Sequence, residues 1–378
     1  MRVLQLAAKM LSLERFALPL MQRLRDDGFH VEALAQFDGT QRRVRDAGFP
    51  VHDWSAGHSF NPLRILAARR QLQSFLTVGE FDIVHSHCSF GGIVGNPVAA
   101  RHPAHLIYTQ HGFYVHEGLN AISRALWLAI EKSGLRPADH VICVSHAEQS
   151  LAQSLGVGPP EKFVHVPGAG IDTAACEHNE QERLARRRAI RESLGLSDDQ
   201  IVLLTVSRLT RDKGYHEMIE AVRILRESGH RFKLLAAGSG KDEASIRRAV
   251  AEAGVEDSFR LLGWRDDVAD LYCAADIFVF ASHREGLPVA PIEAMASGLP
   301  VVMSDIPGCR EEVEDGVSGL LFPTGDARGL ADCVAGLIRH PDRRAEIACE
   351  ARKRARRFDV ENVLDRQIAL YREIAEGR

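Results

Sequence analysis

The sequence predicts an α/β protein made of two successive halves, each a parallel sheet with helices on both faces. Three observations predict it. Short apolar runs alternate with amphipathic helical patterns along almost the whole chain. The pattern lapses once, over residues 168–200, where Pro167-Gly168 leads into the polar, charged run 178–192, and then it restarts. A length of 378 residues is enough for two domains with a core each. The expected division is 1–170 and 171–359.

Taken in order, the first half offers candidate strands at 3–7, 30–35, 51–54, 82–86, 105–110, 141–145 and 163–166, with helices between them, for example 62–77 and 121–132. MRVLQLAAKML opens as a strand and does not read as a leader segment. After the junction comes a helix over 180–194, stopped by Gly195, then strands at 201–206, 232–236, 259–262 and 276–280. Pro288 and Pro291 fit only the first turn of a helix, where amide hydrogens lack partners. Gly298 suits a left-handed C-cap, Pro300 forbids continuation, and 301–303 is the next strand. A last helix, 360–375, has no strand after it. No internal repeat is detectable.

Composition narrows the function. A net charge of −4 gives no general attraction for nucleic acid. No apolar run approaches the roughly 20 residues of a membrane-spanning helix. The seven cysteines form no Cys-x-x-Cys pair, and Cys88, Cys143, Cys273 and Cys309 sit in or beside apolar segments. They read as free buried thiols in a reducing cytoplasm.

The stretch 281–326 is the densest in chemistry. Glu285 and Glu293 stand eight positions apart around a strand–loop–helix junction, with Gly286, Leu287, Pro288 and Val289 between them. Free amide groups and the positive end of the helix suit a phosphate. At 1.5 Å rise per residue the two carboxylates are on the order of 10 Å apart. Pairs that act across one bond stand closer, roughly 5–9.5 Å. The spacing therefore fits two ends of an elongated ligand such as a nucleotide sugar. The plain alternative is one capping and one solvated glutamate.

Other motifs follow strand ends, where ligands of open α/β sheets collect. With two such domains, the natural site is the cleft between them. Arg208 follows one strand and Lys213 comes five residues later, a fork and a point charge suited to a diphosphate, or else a solvated loop. Gly238-Ser239-Gly240 marks a tight strand-to-helix turn but lacks a third glycine at dinucleotide spacing. Trp264, after Gly263, is open to two readings, stacking on a base or packing on the domain surface. His111 ends a strand and is either a sugar-hydroxyl partner or a structural histidine. His85 and His87 share one strand face beside Cys88; zinc is the sharper reading, and an acceptor-side role or packing the plainer one. There is no Asp-x-Asp anywhere in the chain. Two amphipathic segments remain, 11–24 and 121–132, for which core packing is the default and membrane-surface contact the alternative. The basic run 352–357 reads as a solvated helix face.

These stretches together resemble the retaining GT-B glycosyltransferases of family 4. The segment EGLPVAPIEAMASGLPVV carries that family's Glu-x7-Glu donor signature, and SRLTRDKG resembles its GRLxxxKG motif with Ser207 in place of glycine. YTQHGFYVHEGLN is similar to bacterial members that extend lipid-linked surface glycans. One departure is Ala8-Lys9-Met10-Leu11, where many relatives have a Gly-Gly loop. The resemblance implies two Rossmann-like domains facing each other across a cleft, with helix 360–378 returning to the first. The first domain would serve the acceptor and the second the nucleotide sugar. It implies transfer of an N-acetylhexosamine from a UDP-sugar to a polyprenyl-diphosphate-linked glycan, with no metal and no cofactor, at the inner face of the cytoplasmic membrane. Arg208 and Lys213 would hold the diphosphate, helped by amides of Gly286, Leu287, Pro288 and Val289 as far as each carries one. Glu293 would take the ribose, while Gly238, Gly263 and Trp264 approach the base. Glu285 and His111 would meet the transferred sugar. Two rivals remain open at this stage: a sugar-nucleotide epimerase of the same fold, and a two-domain sugar-binding protein.

Overall fold

In the computed structural model the chain divides into two compact units, Met1–Gly170 with Val360–Arg378, and Ile171–Asp359. Every residue is described except 58, 116–118, 169, 178 and 378. Of these, 116–118 belong to the stretch 108–120 and 178 opens the charged run 178–192, so those parts lie outside the described residues.

The first unit holds a seven-stranded sheet: β1 (Arg2–Lys9), β2 (His30–Gln36), β3 (Val51–Asp53), β4 (Ile83–His87), β5 (His105–Gln110), β6 (His140–Cys143) and β7 (Phe163–His165). Its order is β3-β2-β1-β4-β5-β6-β7, all parallel, so the order reverses between β1 and β4. Successive residues point to opposite faces. Leu4, Leu6, Val84 and Leu106 enter one core layer; Val3, Ala7, Ile83 and Ile107 enter the other. That is why each strand reads as a near-continuous apolar run. The helix Val360–Ala375 belongs to the second layer, where it buries Val363, Leu364, Ile368 and Tyr371.

The second unit holds β8 (Ile201–Val206), β9 (Phe232–Ala237), β10 (Phe259–Gly263), β11 (Ile277–Phe280), β12 (Val301–Ser304) and β13 (Leu320–Phe322). Its parallel order is β10-β9-β8-β11-β12-β13, with the reversal between β8 and β11. All seven cysteines are unpaired.

Several expectations shift. The segment 11–24 is not one helix. It breaks at Ala17 into Met10–Phe16 and Leu18–Asp26, because Pro19 cannot continue the ladder of the preceding turn. Leu13, Ala17, Leu20 and Leu24 remain core on both sides of the break. β6 stops at Cys143 because Ser145 turns out to be an N-cap, accepting from the Glu148 amide. Asp276 precedes its strand, with its carboxylate held by Arg187, Arg191 and the Val202 amide. β13 was not expected, being only three residues between Gly319 and Pro323. On Ala121–Leu135 the core default fails for Ile122 and Leu126, which are exposed.

Candidate functional site

In the second unit the two loops at the sheet's point of reversal carry the chemistry, as expected for a doubly wound sheet. After β8 the chain runs through Arg208 into a short turn, Arg211–Lys213, ended by Gly214. Gly214 has φ +68°, and a Cβ there would collide with the Ala281 carbonyl, so only glycine lets this loop lie against the end of β11. The loops are stitched by backbone: the His283 amide donates to the Asp212 carbonyl at 2.9 Å, and the Ser282 hydroxyl to the same oxygen at 3.3 Å.

This stitching brings Lys213 onto Glu285. The Lys213 ammonium donates to Glu285 Oε1 at 2.5 Å, and the lysine is only 7% exposed. A buried ammonium needs such a partner. Arg208 is exposed and stands 3.8 Å from Asp212 Oδ2, which is also 3.8 Å from the Lys213 ammonium. Burial would raise the Asp212 carboxyl, but the neighbouring Thr210 and the charges of Lys213 and Arg208 hold it below its usual range. The site is thus two cations and two anions side by side.

Gly286, Leu287 and Pro288 lead into the helix Val289–Ala296. Pro288 is its N-cap, and no side chain caps it. Glu293, one turn in, accepts from the Tyr272 hydroxyl at 2.8 Å. Tyr272 sits on the helix Val268–Ala274 with its ring buried, and the same hydroxyl reaches the Ala290 carbonyl at 3.2 Å. Burial, then the Glu293 charge, pushes the phenol well above its ordinary pKa, so it stays a donor.

Gly238 follows β9 at φ +145°; a Cβ would collide with the Ser207 carbonyl. Its amide donates to the Gly263 carbonyl at 2.8 Å, joining the ends of β9 and β10. Trp264 is 58% exposed, and its indole N–H donates to Asp266 at 3.0 Å.

In the first unit His111 follows β5. Its ring stacks on Phe16 with centroids 4.7 Å apart, and its buried Nε2 has no partner. Burial lowers its pKa to about 4. His85 bonds through both nitrogens, to Tyr371 and Thr109 at 2.6 Å each, which leaves no lone pair for zinc. Burial pushes the Cys88 thiol up to about 11. The zinc reading fails on His85.

Sequence reasoning missed Tyr272, Asp212 and Glu312. Glu312 ends the helix Pro307–Glu312, fully buried, with both oxygens unpartnered. Burial, followed by the charges of Glu285 and Glu311, pushes its carboxyl well up. Only Asp212, flanked by Arg208 and Lys213 in sequence, left a signal that could have been read.

Two family descriptions match the chain: Glycosyl transferases group 1 over residues 186–354, and Glycosyl transferase 4-like domain over residues 13–169. The chain is 32% identical over 329 residues to D-inositol 3-phosphate glycosyltransferase 2 of Catenulispora acidiphila, covering 79% of this chain and 75% of that protein. It is 25% identical over 375 residues to the N,N'-diacetylbacillosaminyl-diphospho-undecaprenol alpha-1,3-N-acetylgalactosaminyltransferase of Campylobacter jejuni, covering 97% of each. Its fold is similar to that of Anabaena HepE crystallised with UDP, with a TM-score of 0.79 and 23% identity over 98% of this chain and 99% of that one.

Proposed function

Because the chain belongs to the group 1 glycosyl transferases, we propose that it is a retaining, metal-independent enzyme that moves an N-acetylhexosamine from a UDP-sugar to a polyprenyl-diphosphate-linked glycan. The observation that carries this reading is the Lys213–Glu285 pair at the reversal of the second sheet. A lysine beside a glutamate offers a cation to a leaving phosphate and an acceptor to a neighbouring sugar hydroxyl.

In this mechanism Arg208 and Lys213 grip the diphosphate, and their charge counts for most as the glycosidic bond breaks and negative charge grows there. The uncapped start of helix Val289–Ala296 adds amide dipoles. Glu293, oriented by Tyr272, takes the ribose hydroxyls. Trp264 and the Gly238 and Gly263 turns line the side of the base. Glu285 orients the transferred sugar, and His111 is the first unit's candidate for a sugar hydroxyl. The acceptor hydroxyl attacks the face that the diphosphate leaves, a leaving phosphate oxygen takes its proton, and no protein base is needed. Two cations at the diphosphate make a divalent ion unnecessary.

The lipid-linked acceptor is supported by the Campylobacter relative, whose name specifies such a substrate. It is supported also by the first unit's surface. Phe60, Leu63, Leu66, Ile122 and Leu126 are exposed, and Phe60 lies against Trp127 with ring centroids 5.7 Å apart. The exposed charges on the helices Pro62–Gly79 and Ala121–Leu135, namely Arg64, Arg70, Arg124 and Lys132, are all positive. Such a face suits an anionic membrane, which would place the enzyme peripherally at the cytoplasmic side. No helix among the described residues is long and apolar enough to cross a membrane. The epimerase and binding-protein readings gain no support from relatives that are named as transferases.

The test incubates the purified full chain with UDP-sugars and polyprenyl-diphosphate-linked glycans and follows released UDP, with and without EDTA. Sugar transfer that survives EDTA is expected, with the anomeric configuration kept. Loss of activity in chelator, restored by magnesium, would overturn metal independence. Isomerised nucleotide sugar formed without acceptor would restore the epimerase.

A further inference from the structure

In the first unit a chain of buried hydrogen bonds runs from helix Val360–Ala375 to the carboxyl ends of the strands. The Gln5 amide oxygen faces His87 Nε2 at 2.6 Å, so His87 donates there. The Gln5 amide nitrogen donates to the Tyr371 hydroxyl at 2.9 Å. That hydroxyl in turn donates to His85 Nδ1 at 2.6 Å, and His85 Nε2 donates to Thr109 at 2.6 Å. The row runs in one direction. Its upstream end is His87, whose proton sits on Nε2 and whose Nδ1 is therefore a bare lone pair. That Nδ1 is buried and has no partner, in a residue only 2% exposed.

The location adds to this. His87 ends β4, beside the reversal of the sheet order between β1 and β4. It is also the N-cap of the helix Cys88–Ala99, which no side chain caps. Another unpartnered imidazole nitrogen, His111 Nε2, belongs to a ring 5.8 Å from the His87 ring, tilted by only 28°. Burial, with the neighbouring histidines, keeps His87 and His85 neutral, His85 down to about 3.

We propose that His87 Nδ1 and the start of helix Cys88–Ala99 form a hydroxyl-binding subsite, which takes a sugar O–H as donor at the imidazole and as acceptor at the helix amides. A bare nitrogen repels phosphate and carboxylate oxygens, which bring no proton, and helix amides repel an ammonium. A neutral hydroxyl satisfies both. The sugar identity of the ligand rests on the glycosyltransferase reading above; the geometry of the subsite does not. Tyr371 and Gln5 are positioning residues, since they act only by fixing which nitrogen of His87 carries the proton.

The test uses the full chain labelled at its imidazole nitrogens and read by NMR. His87 is expected neutral from pH 5 to 8, with its proton on Nε2. UDP-N-acetylglucosamine or UDP-N-acetylgalactosamine should move the Nδ1 resonance, and UDP alone should not. A shift that needs UDP plus the methyl glycoside of N-acetylglucosamine would assign the subsite to the acceptor's hydroxyl instead of the donor's. Tyr371→Phe should leave UDP affinity unchanged and give His87 a mixture of tautomers. His87→Phe should lower kcat/KM about 10-fold to 100-fold. A proton found on Nδ1, or no shift with any sugar while calorimetry shows UDP bound, would overturn the proposal. Failure of UDP to bind would sink the donor reading of the second unit, and the tautomer and glycoside arms would still decide His87.

Discussion

Replacing Tyr272 by Phe removes one oxygen and leaves a buried ring in place. That oxygen donates its one proton to Glu293 at 2.8 Å and lies 3.2 Å from the Ala290 carbonyl. A hydrogen bond to a charged group contributes roughly 1.5–3 kcal/mol. Part of the loss falls on the resting protein and part on ligand binding, because the carboxylate is no longer aimed. The lower figure, about 1.5 kcal/mol, corresponds to a UDP complex weaker by roughly tenfold. If Glu293 holds ribose equally in ground and transition states, kcat at saturating donor should change less than about twofold, and the loss should appear in KM. Calorimetry with UDP, steady-state kinetics and a thermal melt measure the three quantities. Tyr272→Phe combined with Glu293→Gln should cost little more than Glu293→Gln alone, since the two residues act through one contact. A variant whose kcat drops while UDP affinity stays, or a strictly additive pair, would refute this account of Glu293.

Further outcomes follow from the same contacts. Glu285→Gln and Lys213→Ala should each lower kcat about 10²-fold with little additivity, because both act where charge develops; losses confined to donor affinity would contradict the division of roles. Asp212→Asn should tighten UDP binding a few-fold, as it removes an anion from between the two cations, at an effective scale of about 1 kcal/mol; weaker UDP binding would count against Arg208 and Lys213 as the phosphate grip. Glu312 has a folded pKa above its unfolded one, so the folded state holds a proton the unfolded state releases, and stability should fall as pH rises from the ordinary carboxyl range towards that raised value. Glu312→Leu should flatten this decline and, at neutral pH, stabilise by about 1–3 kcal/mol, near 2–4 °C per kcal/mol for a unit of this size; an unchanged melting profile between pH 5 and 8 would argue against a buried proton there. Replacing Ile122 and Leu126 by Gln should weaken salt-sensitive binding to anionic liposomes while leaving UDP affinity intact; unaltered sedimentation would remove this face from the membrane reading.

The sheets were legible because parallel strands buried on both faces leave long apolar runs, and 105–110, 201–206 and 360–375 fall where the sequence put them. The break at Ala17 was not legible from periodicity. Leu13, Ala17, Leu20 and Leu24 keep one phase across it, and only Pro19 betrays it. Spacing along the chain identified Arg208, Lys213, Glu285 and Glu293 as candidates but could not pair them. Lys213 meets Glu285 across 72 positions because Gly214 lets one loop lie on the end of another strand. Tyr272 is 21 positions from Glu293 and looks, in sequence, like any apolar helix residue. Gln5 and Tyr371 are 366 positions apart, and no local pattern announces that they share a bond. Exposure of Ile122 and Leu126 was hidden for the opposite reason, since an amphipathic period marks an apolar face without saying what covers it.

The return of helix Val360–Ala375 to the first unit sets an order of assembly during synthesis. The strands β1 to β7 leave the ribosome early, yet the layer containing Ala7, Leu13 and Ile83 lacks Val363, Leu364, Ile368 and Tyr371 until the end. Between Gly170 and Val360 the whole second unit must be made, 359 − 170 = 189 residues. At about 5–20 residues per second that is a wait of roughly 10–40 s. The second unit can complete itself in that interval; the first cannot, and keeps an apolar face open to chaperones and proteases. Premature termination before residue 360 would therefore leave the Lys213–Glu285 pair on a finished unit while His87, deprived of Tyr371, stayed unorganised.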